Sequence, residues 1–143
     1  MKIRVMDSTD VERVCDIENQ CFTKPWSEDS FLHAILREDT QYVVGEVEGK
    51  IIGYCGIWCS FEDGDLCNMA VDPEYRGHGY AERLLQYSLE QCRAKGVHHI
   101  MLEVRQSNAA AIGLYIKIGF QTIGKRKGYY SQPKEDAVLM ELA

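Results

Sequence analysis

The sequence predicts an α/β (α+β) fold in which helices cover both faces of a mixed β-sheet. Two observations predict it. Short runs with alternating apolar residues, typical of strands, are interleaved with longer runs in which apolar residues recur every three or four positions. These runs follow one another in the order β-αα-βββ-α-β-α-ββ, which indicates a mixed sheet. At 143 residues, the chain has the length of a single domain, and we expect one domain over residues 1–143.

The first part of the chain is predicted to form one strand and two helices. Lys2–Met6 alternates weakly and should be a strand. Thr9 and Glu12 have the spacing of a capping box, and the apolar residues behind them repeat as on one face of a helix. Ser27 is a suitable N-cap for the second helix, because the apolar residues that follow it also have helical spacing.

A hairpin and a third strand are predicted next. Gln41–Val47 and Ile51–Ser60 are rich in β-branched and aromatic residues, as strands are. They flank Glu48-Gly49, a two-residue connection that favours a tight hairpin turn. Asp65–Val71 has the same composition and should be a further strand.

The C-terminal half is predicted to alternate helices and strands. Glycine residues that follow a helical pattern mark the ends of both helices. In chain order the elements are a helix from Ala81 to Lys95-Gly96, a strand at His99–Arg105, a helix over 111–118 closed by Gly119, and strands at Phe120–Ile123 and Ala137–Leu142.

Composition narrows the class of protein. With 16 basic and 22 acidic residues, the net charge is −6. This charge argues against general nucleic-acid binding, which needs a basic face, and is compatible with a cationic substrate. No apolar run approaches the roughly 18 residues of a membrane span, and the N-terminal residues lack the apolar segment of a signal peptide. We therefore expect a cytoplasmic protein with neither a membrane nor a nucleic-acid partner.

The six cysteines do not form a recognisable metal or disulfide motif. None of them belongs to a Cys-x-x-Cys pair, and the spacing of Cys55, Cys59 and Cys67 fits no zinc template. We expect reduced thiols that act as small apolar side chains, and no bound metal.

A glycine-rich loop between a strand and a helix carries the first chemical signal. Asn68–Val71 ends an apolar run, and Asp72-Pro73 ends the strand because proline cannot donate to the sheet. Gly77 and Gly79 allow a backbone path that other residues resist, and helical spacing begins at Ala81. A loop of this kind leaves backbone N–H groups free at the positive end of a helix, which predicts an anion site.

The loop does not match the common nucleotide motifs. A P-loop would need Gly-x-x-x-x-Gly-Lys-[Ser/Thr], which the chain lacks. A dinucleotide fingerprint would need a small residue three positions after Gly79, where Glu82 stands instead. From the loop alone, an ordinary strand–turn–helix corner stays open as the alternative.

The arrangement Arg76-x-x-Gly79-x-Ala81 resembles the acetyl-CoA pyrophosphate loop of the GCN5-related N-acetyltransferases, the GNAT family. The order of predicted elements is also similar to the GNAT order over nearly the whole chain. The resemblance implies the GNAT fold, a mostly antiparallel central sheet whose central strands splay apart to form the acetyl-CoA cleft. It also implies acetyl-CoA as cosubstrate.

Glu103 is the candidate general base. On a strand over His99–Arg105 it falls on the face opposite Ile100, Leu102 and Val104. A carboxylate within an apolar strand has two explanations. It is either an exposed charge at a sheet edge or strand end, or a base that removes the proton of an amine. An α-amine with a pKa of roughly 8 must lose its proton before it can attack a thioester.

Tyr115 is the candidate general acid. It lies between Asn108 and Gly119-Phe120, and a segment of the type Asn…Tyr…Gly-Phe lies against the pantetheine arm in GNAT enzymes. The resemblance implies that this tyrosine protonates the departing CoA thiolate. Its position beside Leu114 on an apolar helical face equally suits a core aromatic residue.

Further motifs resemble the ribosomal-protein-alanine N-acetyltransferases within that family. They are Leu-Glu-Val-Arg around Glu103, Gly128-Tyr129-Tyr130, and the segment from Cys21 to Ser27. This likeness implies acetyl transfer to the α-amine of a protein N-terminus, the expected partner being the N-terminal alanine of a small-subunit ribosomal protein.

The resemblance also assigns roles to individual residues. It gives the catalytic roles to Glu103 and Tyr115, cofactor contacts to Met69, Ala70, Val71, Arg76, Gly77, His78, Gly79, Tyr80, Ala81, Glu82 and Asn108, and the acceptor entrance to Trp26, Tyr129 and Tyr130.

Three other functions stay open at this point. A GNAT enzyme could acetylate a different amine, such as a lysine side chain, a polyamine or an aminoglycoside. A non-catalytic acyl-CoA sensor could use the same fold, since fold does not determine function. A purely structural interaction module would not bind CoA at all. The presence of both Glu103 and Tyr115 favours an enzyme.

Overall fold

The computed structural model describes residues 1–143, which form seven strands and four α-helices. The strands are β1 (Lys2–Val5), β2 (Thr40–Val47), β3 (Lys50–Ser60), β4 (Asp63–Val71), β5 (His99–Arg105), β6 (Gln121–Tyr130) and β7 (Glu135–Leu142). The helices are α1 (Val11–Cys21), α2 (Glu28–Leu36), α3 (Tyr80–Ala94) and α4 (Ala109–Ile118).

All seven strands belong to one sheet, in the order β1-β2-β3-β4-β5-β7-β6. Only β4 and β5 pair in parallel, and every other neighbouring pair is antiparallel. Apolar residues of α1 and α2 pack in one core cluster, and those of α3 and α4 pack in the other. The predicted mixed sheet with helices on both faces is confirmed.

Local signals placed most element boundaries correctly. Ser27 caps α2, where its hydroxyl accepts a hydrogen bond from the N–H of Ser30. Glu48 and Gly49 both have positive φ angles, of 51° and 77°, as the turn between β2 and β3 requires. Gly96, which follows α3, also has a positive φ angle, of 89°, as is typical of a glycine that ends a helix.

The predicted capping box at Thr9 and Glu12 is wrong. The box forms two residues earlier, around a short 3₁₀ helix at Ser8–Asp10. The Asp7 carboxylate accepts from the N–H of Thr9 at 2.9 Å, and the Asp10 carboxylate accepts from the N–H of Asp7 at 2.8 Å. Two carboxylates supply both halves of the box, which leaves Thr9 inside the first turn.

The predicted strand at Phe120–Ile123 is too short, because β6 continues to Tyr130. Residues 124–128 read Gly-Lys-Arg-Lys-Gly and show no apolar alternation. The alternation is missing because β6 lies at the edge of the sheet. It pairs with β7 alone, and nearly all of its residues are exposed. Lysine is a common residue on such edges, where it discourages pairing with other chains.

The sheet opens between its two parallel strands. β4 and β5 pair only from Asp63 to Asp65 and from His99 to Met101, although both strands continue beyond these residues. On its other side β4 contains a bulge at Cys67, since the partners of Gly56 and Ile57 are Asn68 and Leu66. A bulge bends the strand that contains it, and β4 diverges from β5 beyond this point.

A buried polar network holds the bulge in place. The Tyr42 hydroxyl donates to the side-chain oxygen of Asn68 at 2.6 Å and accepts from the indole N–H of Trp58 at 2.9 Å. The ring of Tyr42 crosses the backbone of Gly56 so closely that a Cβ there would lie 2.1 Å from a ring carbon. Glycine is therefore required at position 56 by the approach of the ring.

His99 joins three strands at the point where parallel pairing begins. Its ring nitrogens lie 3.0 Å from a carboxylate oxygen of Asp63 on β4 and 2.7 Å from one of Glu141 on β7. Hydrogen bonding to Glu141, and then to Asp63, raises the pKa of His99 above its ordinary value near 6.5. The folded protein therefore favours the charged imidazolium.

The His99→Gln variant tests this contribution. Because the folded-state pKa is raised, the stabilisation is complete below pH 6.5 and is lost as the pH rises through the folded-state value. We expect the substitution to lower the free energy of unfolding by about 0.5 kcal/mol near pH 6, the scale of a solvent-screened pair, and by less near pH 9. Urea unfolding at both pH values measures it, with His98→Gln as the control. A loss that grows toward pH 9 would contradict the assignment.

Candidate active site

The divergence of β4 and β5 creates a cleft of about 1080 Å³. Its walls come from both strands, α4, the loop after α1 and the turn between β6 and β7. Ten of the residues predicted for the site lie along it: Met69, Ala70, Val71, Arg76, Ala81, Glu103, Asn108, Tyr115, Tyr129 and Tyr130.

The β4 wall presents backbone groups to the cleft that pair with no other strand, although the Val71 carbonyl accepts a weak hydrogen bond from the Cys21 thiol at 3.9 Å. The N–H of Asp72 donates to Ile52 on β3, so the backbone groups of Asp72 and, by alternation, of Ala70 face β3. Those of Met69 and Val71 point the other way, toward the gap where β5 no longer pairs. Peptide groups with this orientation can bind the polar atoms of an elongated ligand.

The glycine loop has the free donors that the sequence predicted. Gly77 and Gly79 have φ angles of 84° and 77°, in the left-handed region that glycine favours. Gly79 occupies the N-cap position of α3 and provides no side-chain cap. The N–H groups of residues 77–82 donate to no backbone or side-chain acceptor of the protein. Together with the positive end of α3, they form a site suited to a phosphate group.

The side chains of His78, Tyr80 and Glu82, whose N–H groups belong to this anion site, do not line the cleft. The rings of His78 and Tyr80 are 5.5 Å apart and tilted to one another. Glu82, whose negative charge opposes an anion, accepts a hydrogen bond from the ammonium group of Lys117 at 3.0 Å. This ion pair between α3 and α4 offsets the acidic residue in the first turn of the helix.

Glu103 lies on an interior strand, between β4 and β7, which excludes the sheet-edge explanation for its charge. Its Oε2 atom is buried and has no hydrogen-bond partner, while Oε1 lies 3.8 Å from the guanidinium of Arg126. The carboxylate raises the pKa of the neighbouring Tyr129 phenol. A buried carboxylate oxygen without a partner is costly, and here it belongs to a residue that lines the cleft.

Tyr115 combines the two explanations that the sequence left open. It is buried, with 8% of its surface exposed, and its ring centroid lies 5.6 Å from that of Phe120 in the core. It also borders the cleft. Burial raises the pKa of Tyr115, so the phenol is protonated at neutral pH, as any tyrosine is, and is a weaker acid than an exposed one. A buried phenol at the cleft wall can donate a proton to a ligand atom.

Asn108 shapes the cleft from the start of α4. Its side-chain oxygen accepts from the N–H of Ala111 at 3.2 Å, so Asn108 is the N-cap of the helix that carries Tyr115. Sequence reasoning gave Asn108 only a cofactor role and missed this cap. The residue lies at the cleft wall as well.

The structure does not bring Trp26 into the cleft lining. Its ring packs against Phe31, with centroids 5.3 Å apart. Its backbone N–H donates to the buried Glu18 carboxylate at 2.9 Å. Phe22 and Thr23, earlier in the same loop, border the cleft instead. Tyr129 and Tyr130 do border it, and burial raises the pKa of Tyr130 to about 12.

Arg105 and Glu135 also border the cleft, and sequence reasoning did not select them as site residues. Glu135 accepts from the N–H of Ser107 at 2.6 Å, and this bonding, with a smaller contribution from Arg105, lowers its pKa. A signal for Arg105 existed, since it shares a strand face with Glu103. Glu135 had none, because its partners lie 28 or more residues away along the chain.

The structure has neither a cluster of metal-binding side chains nor a membrane-spanning helix. No group of three or more His, Cys, Asp or Glu side chains is arranged to hold a metal ion. None of the helices combines the length and the apolar character needed to span a bilayer.

Comparison with known proteins identifies the family of the chain. Residues 11–120 match the model of the Acetyltransferase (GNAT) family. A Bacillus subtilis (strain 168) protein, provisionally named as a ribosomal protein bS18-alanine N-acetyltransferase, is 43% identical over 139 residues, which cover 96% of this chain and 92% of the relative. The ribosomal protein bS18-alanine N-acetyltransferase of Escherichia coli (strain K12) is 33% identical over 144 residues, covering 98% and 95% of the two chains.

A solved structure shows the same architecture. The crystal structure of the ribosomal-protein-S18-alanine N-acetyltransferase from Escherichia coli superimposes with a TM-score of 0.91 at 33% identity, covering 99% of this chain and 92% of the other. The family match spans most of the chain, and the similarity to these relatives extends over almost all of it. The chain therefore belongs to the GNAT family of acetyltransferases.

Proposed function

We propose that this protein transfers the acetyl group of acetyl-CoA to the α-amine of a protein that begins with alanine, most suitably a small-subunit ribosomal protein. The observation that carries the proposal is the buried, unpartnered Oε2 of Glu103 beside a cleft with an anion site at its other end. A carboxylate in this setting lacks only a donor, and an acceptor amine supplies one.

The residues along the cleft fit acetyl-CoA. The free N–H groups of residues 77–82 and the guanidinium of Arg76 suit its pyrophosphate, and the backbone groups of Met69 and Val71 suit the polar atoms of its pantetheine arm. Bound there, acetyl-CoA supplies an acetyl thioester, which an amine can attack directly. A backbone N–H of Met69 or Val71 would stabilise the negative charge that develops on the thioester oxygen.

Glu103 and Tyr115 divide the proton transfers between them. Glu103 accepts a proton from the acceptor ammonium, directly or through water, which yields the neutral amine that attacks. As the C–S bond breaks, Tyr115 gives its phenolic proton to the departing sulfur, and the second proton lost by the acceptor nitrogen restores the phenol. Its raised pKa makes it a weaker acid than an ordinary phenol, and its fixed position in the wall compensates for this. No cysteine nucleophile is required.

The choice of acceptor rests on the relatives. The E. coli relative is named a ribosomal protein bS18-alanine N-acetyltransferase, and the provisional name of the B. subtilis relative says the same. Similarity over nearly the whole chain includes the loop after α1 and the β6–β7 turn, both of which border the cleft. A lysine side chain, a polyamine or an aminoglycoside is the competing acceptor.

The anion site is tested by thermal unfolding with ligand. We expect acetyl-CoA to raise the melting temperature by mass action, and NADH or ATP at equal concentration to do so much less. Gly79→Glu should abolish the shift, since it puts bulk and negative charge beside the free N–H groups. Gly96→Glu is the matched control, because Gly96 has a similar φ and equally open surroundings at the far end of α3. A wild-type melting curve indifferent to acetyl-CoA would overturn the cofactor assignment.

The general base is tested by Glu103→Gln. We expect kcat to fall by roughly 10²–10⁴-fold at pH 7 while the acetyl-CoA melting shift is kept. The loss should shrink as the pH rises past the pKa of the acceptor amine, because more of the amine is then already neutral. Tyr115→Phe should also lower kcat but without recovery at high pH. Full activity of Glu103→Gln at pH 7 would show that another group removes the proton.

The acceptor is tested with matched peptides. We expect a peptide that begins with alanine to be acetylated at its α-amine, and the same peptide with a blocked α-amine and free lysines to react at least about tenfold more slowly by kcat/KM, since discrimination lies in the transition state. Mass spectrometry identifies the modified residue. Equal rates for the two peptides, or a better rate for spermidine or an aminoglycoside, would assign a different acceptor.

A further inference from the structure

Arg105 makes an unusual number of contacts at the edge of the cleft. One terminal nitrogen, Nη1, donates to the carbonyl oxygen of Pro133 at 2.9 Å and to the Glu135 carboxylate at 3.3 Å. The other, Nη2, donates to the carbonyl oxygen of Ser131 at 3.0 Å and to the hydroxyl of Thr23 at 3.3 Å. Only the planar, multi-donor head of an arginine can serve all four acceptors at once.

These contacts connect two separate loops. Thr23 belongs to the loop after α1, whereas Ser131 and Pro133 belong to the turn between β6 and β7. All three residues border the cleft. No hydrogen bond joins the two loops directly, so the guanidinium of Arg105 is the link between them. We call these two loops, together with Arg105, the rim.

The position of the Arg105 head is itself determined by its surroundings. The guanidinium lies over the ring of Tyr130, 4.5 Å from its centroid, which adds a cation–π contact from below. Glu135 is held by the N–H of Ser107, and its lowered pKa keeps it ionised as a partner for Arg105. The side chain of Arg105 is 24% exposed, so these contacts are partly shielded from solvent.

We propose that Arg105 is a positioning residue that closes the rim of the cleft and thereby sets the affinity for the acceptor. The proposal rests on the proposed function, because it assumes that the acceptor approaches Glu103. Glu103 lies two residues before Arg105 on the same face of β5. Loops that are already ordered need not lose conformational freedom when a peptide binds between them. Arg105 touches neither of the atoms that exchange protons, so the chemical step does not depend on it.

The kinetic test compares two substitutions at the rim with two matched controls. Arg105→Lys keeps the charge but cannot serve four acceptors, and Thr23→Val removes only the contact with the loop after α1. Arg4→Lys and Thr40→Val are the controls. Arg4 is similarly exposed, at 29%, and binds Asp10 and Glu46, whereas Thr40 donates to the carbonyl of Ala34; neither borders the cleft.

We expect Arg105→Lys to raise KM for an alanine-initiated peptide about tenfold, and Thr23→Val about threefold, with kcat changed less than about twofold. KM for acetyl-CoA should stay at the wild-type value in both, and the controls should change none of these constants. An unchanged peptide KM in Arg105→Lys would overturn the proposal. So would a fall in kcat at constant KM, which would place Arg105 in the chemical step.

Hydrogen exchange provides a readout that does not depend on activity. Amides of residues 22–24, 26, 131, 132 and 134 should exchange faster in Arg105→Lys than in the wild type, and at the wild-type rate in Arg4→Lys. Unchanged exchange in both loops would refute the link between them. If the wild type fails to acetylate any α-amine while the loops still exchange faster in Arg105→Lys, the proposed acceptor is wrong and the closed rim stands.

Discussion

The structure depends on one constraint: β4 and β5 pair for only three residues and then diverge. Parallel neighbours in the middle of a sheet normally stay paired, because unpaired backbone groups in a protein interior are costly. Here the bulge at Cys67 bends β4 away, and the Tyr42–Asn68–Trp58 network holds the bulge in place. The lost strand pairing becomes useful at the cleft, since the backbone groups of Met69 and Val71 that face away from β3 can bind a ligand.

The chemistry follows from what each wall of the opening presents. One end has six backbone N–H groups without acceptors, and β5 presents a carboxylate oxygen without a donor. Tyr115, on the helix packed alongside, borders the opening with its phenol protonated. Groups that are unsatisfied within the protein are thus complementary to two ligands, one with an anionic end and one with a reacting amine. This complementarity is a stronger argument for function than the fold alone, which hosts many activities.

Polar contacts across the sheet order the segments around the cleft. The buried Glu18 carboxylate on α1 accepts hydrogen bonds from the backbone N–H of Trp26 and from the hydroxyl of Tyr54. These contacts fix the loop after α1 against that helix. On the opposite side of the opening, Arg105 organises the β6–β7 turn. The loops that border the acceptor side are therefore held by charged side chains from regular elements, whereas loops of this kind are often mobile.

The sequence by itself determined the features that depend only on a few neighbouring residues. The Glu48-Gly49 turn, the Ser27 cap, the free donors around Gly79 and the face of β5 that carries Glu103 all depend on backbone preferences or periodicity within a few residues. Only the tertiary structure decided which distant residues meet. It extended β6 as an edge strand, turned Trp26 toward Phe31, left Oε2 of Glu103 without a partner and joined Arg105 to residues 26 to 82 positions away. The physical reason is that hydrogen bonds and burial depend on position in space, and spacing along the chain constrains that position only over short distances.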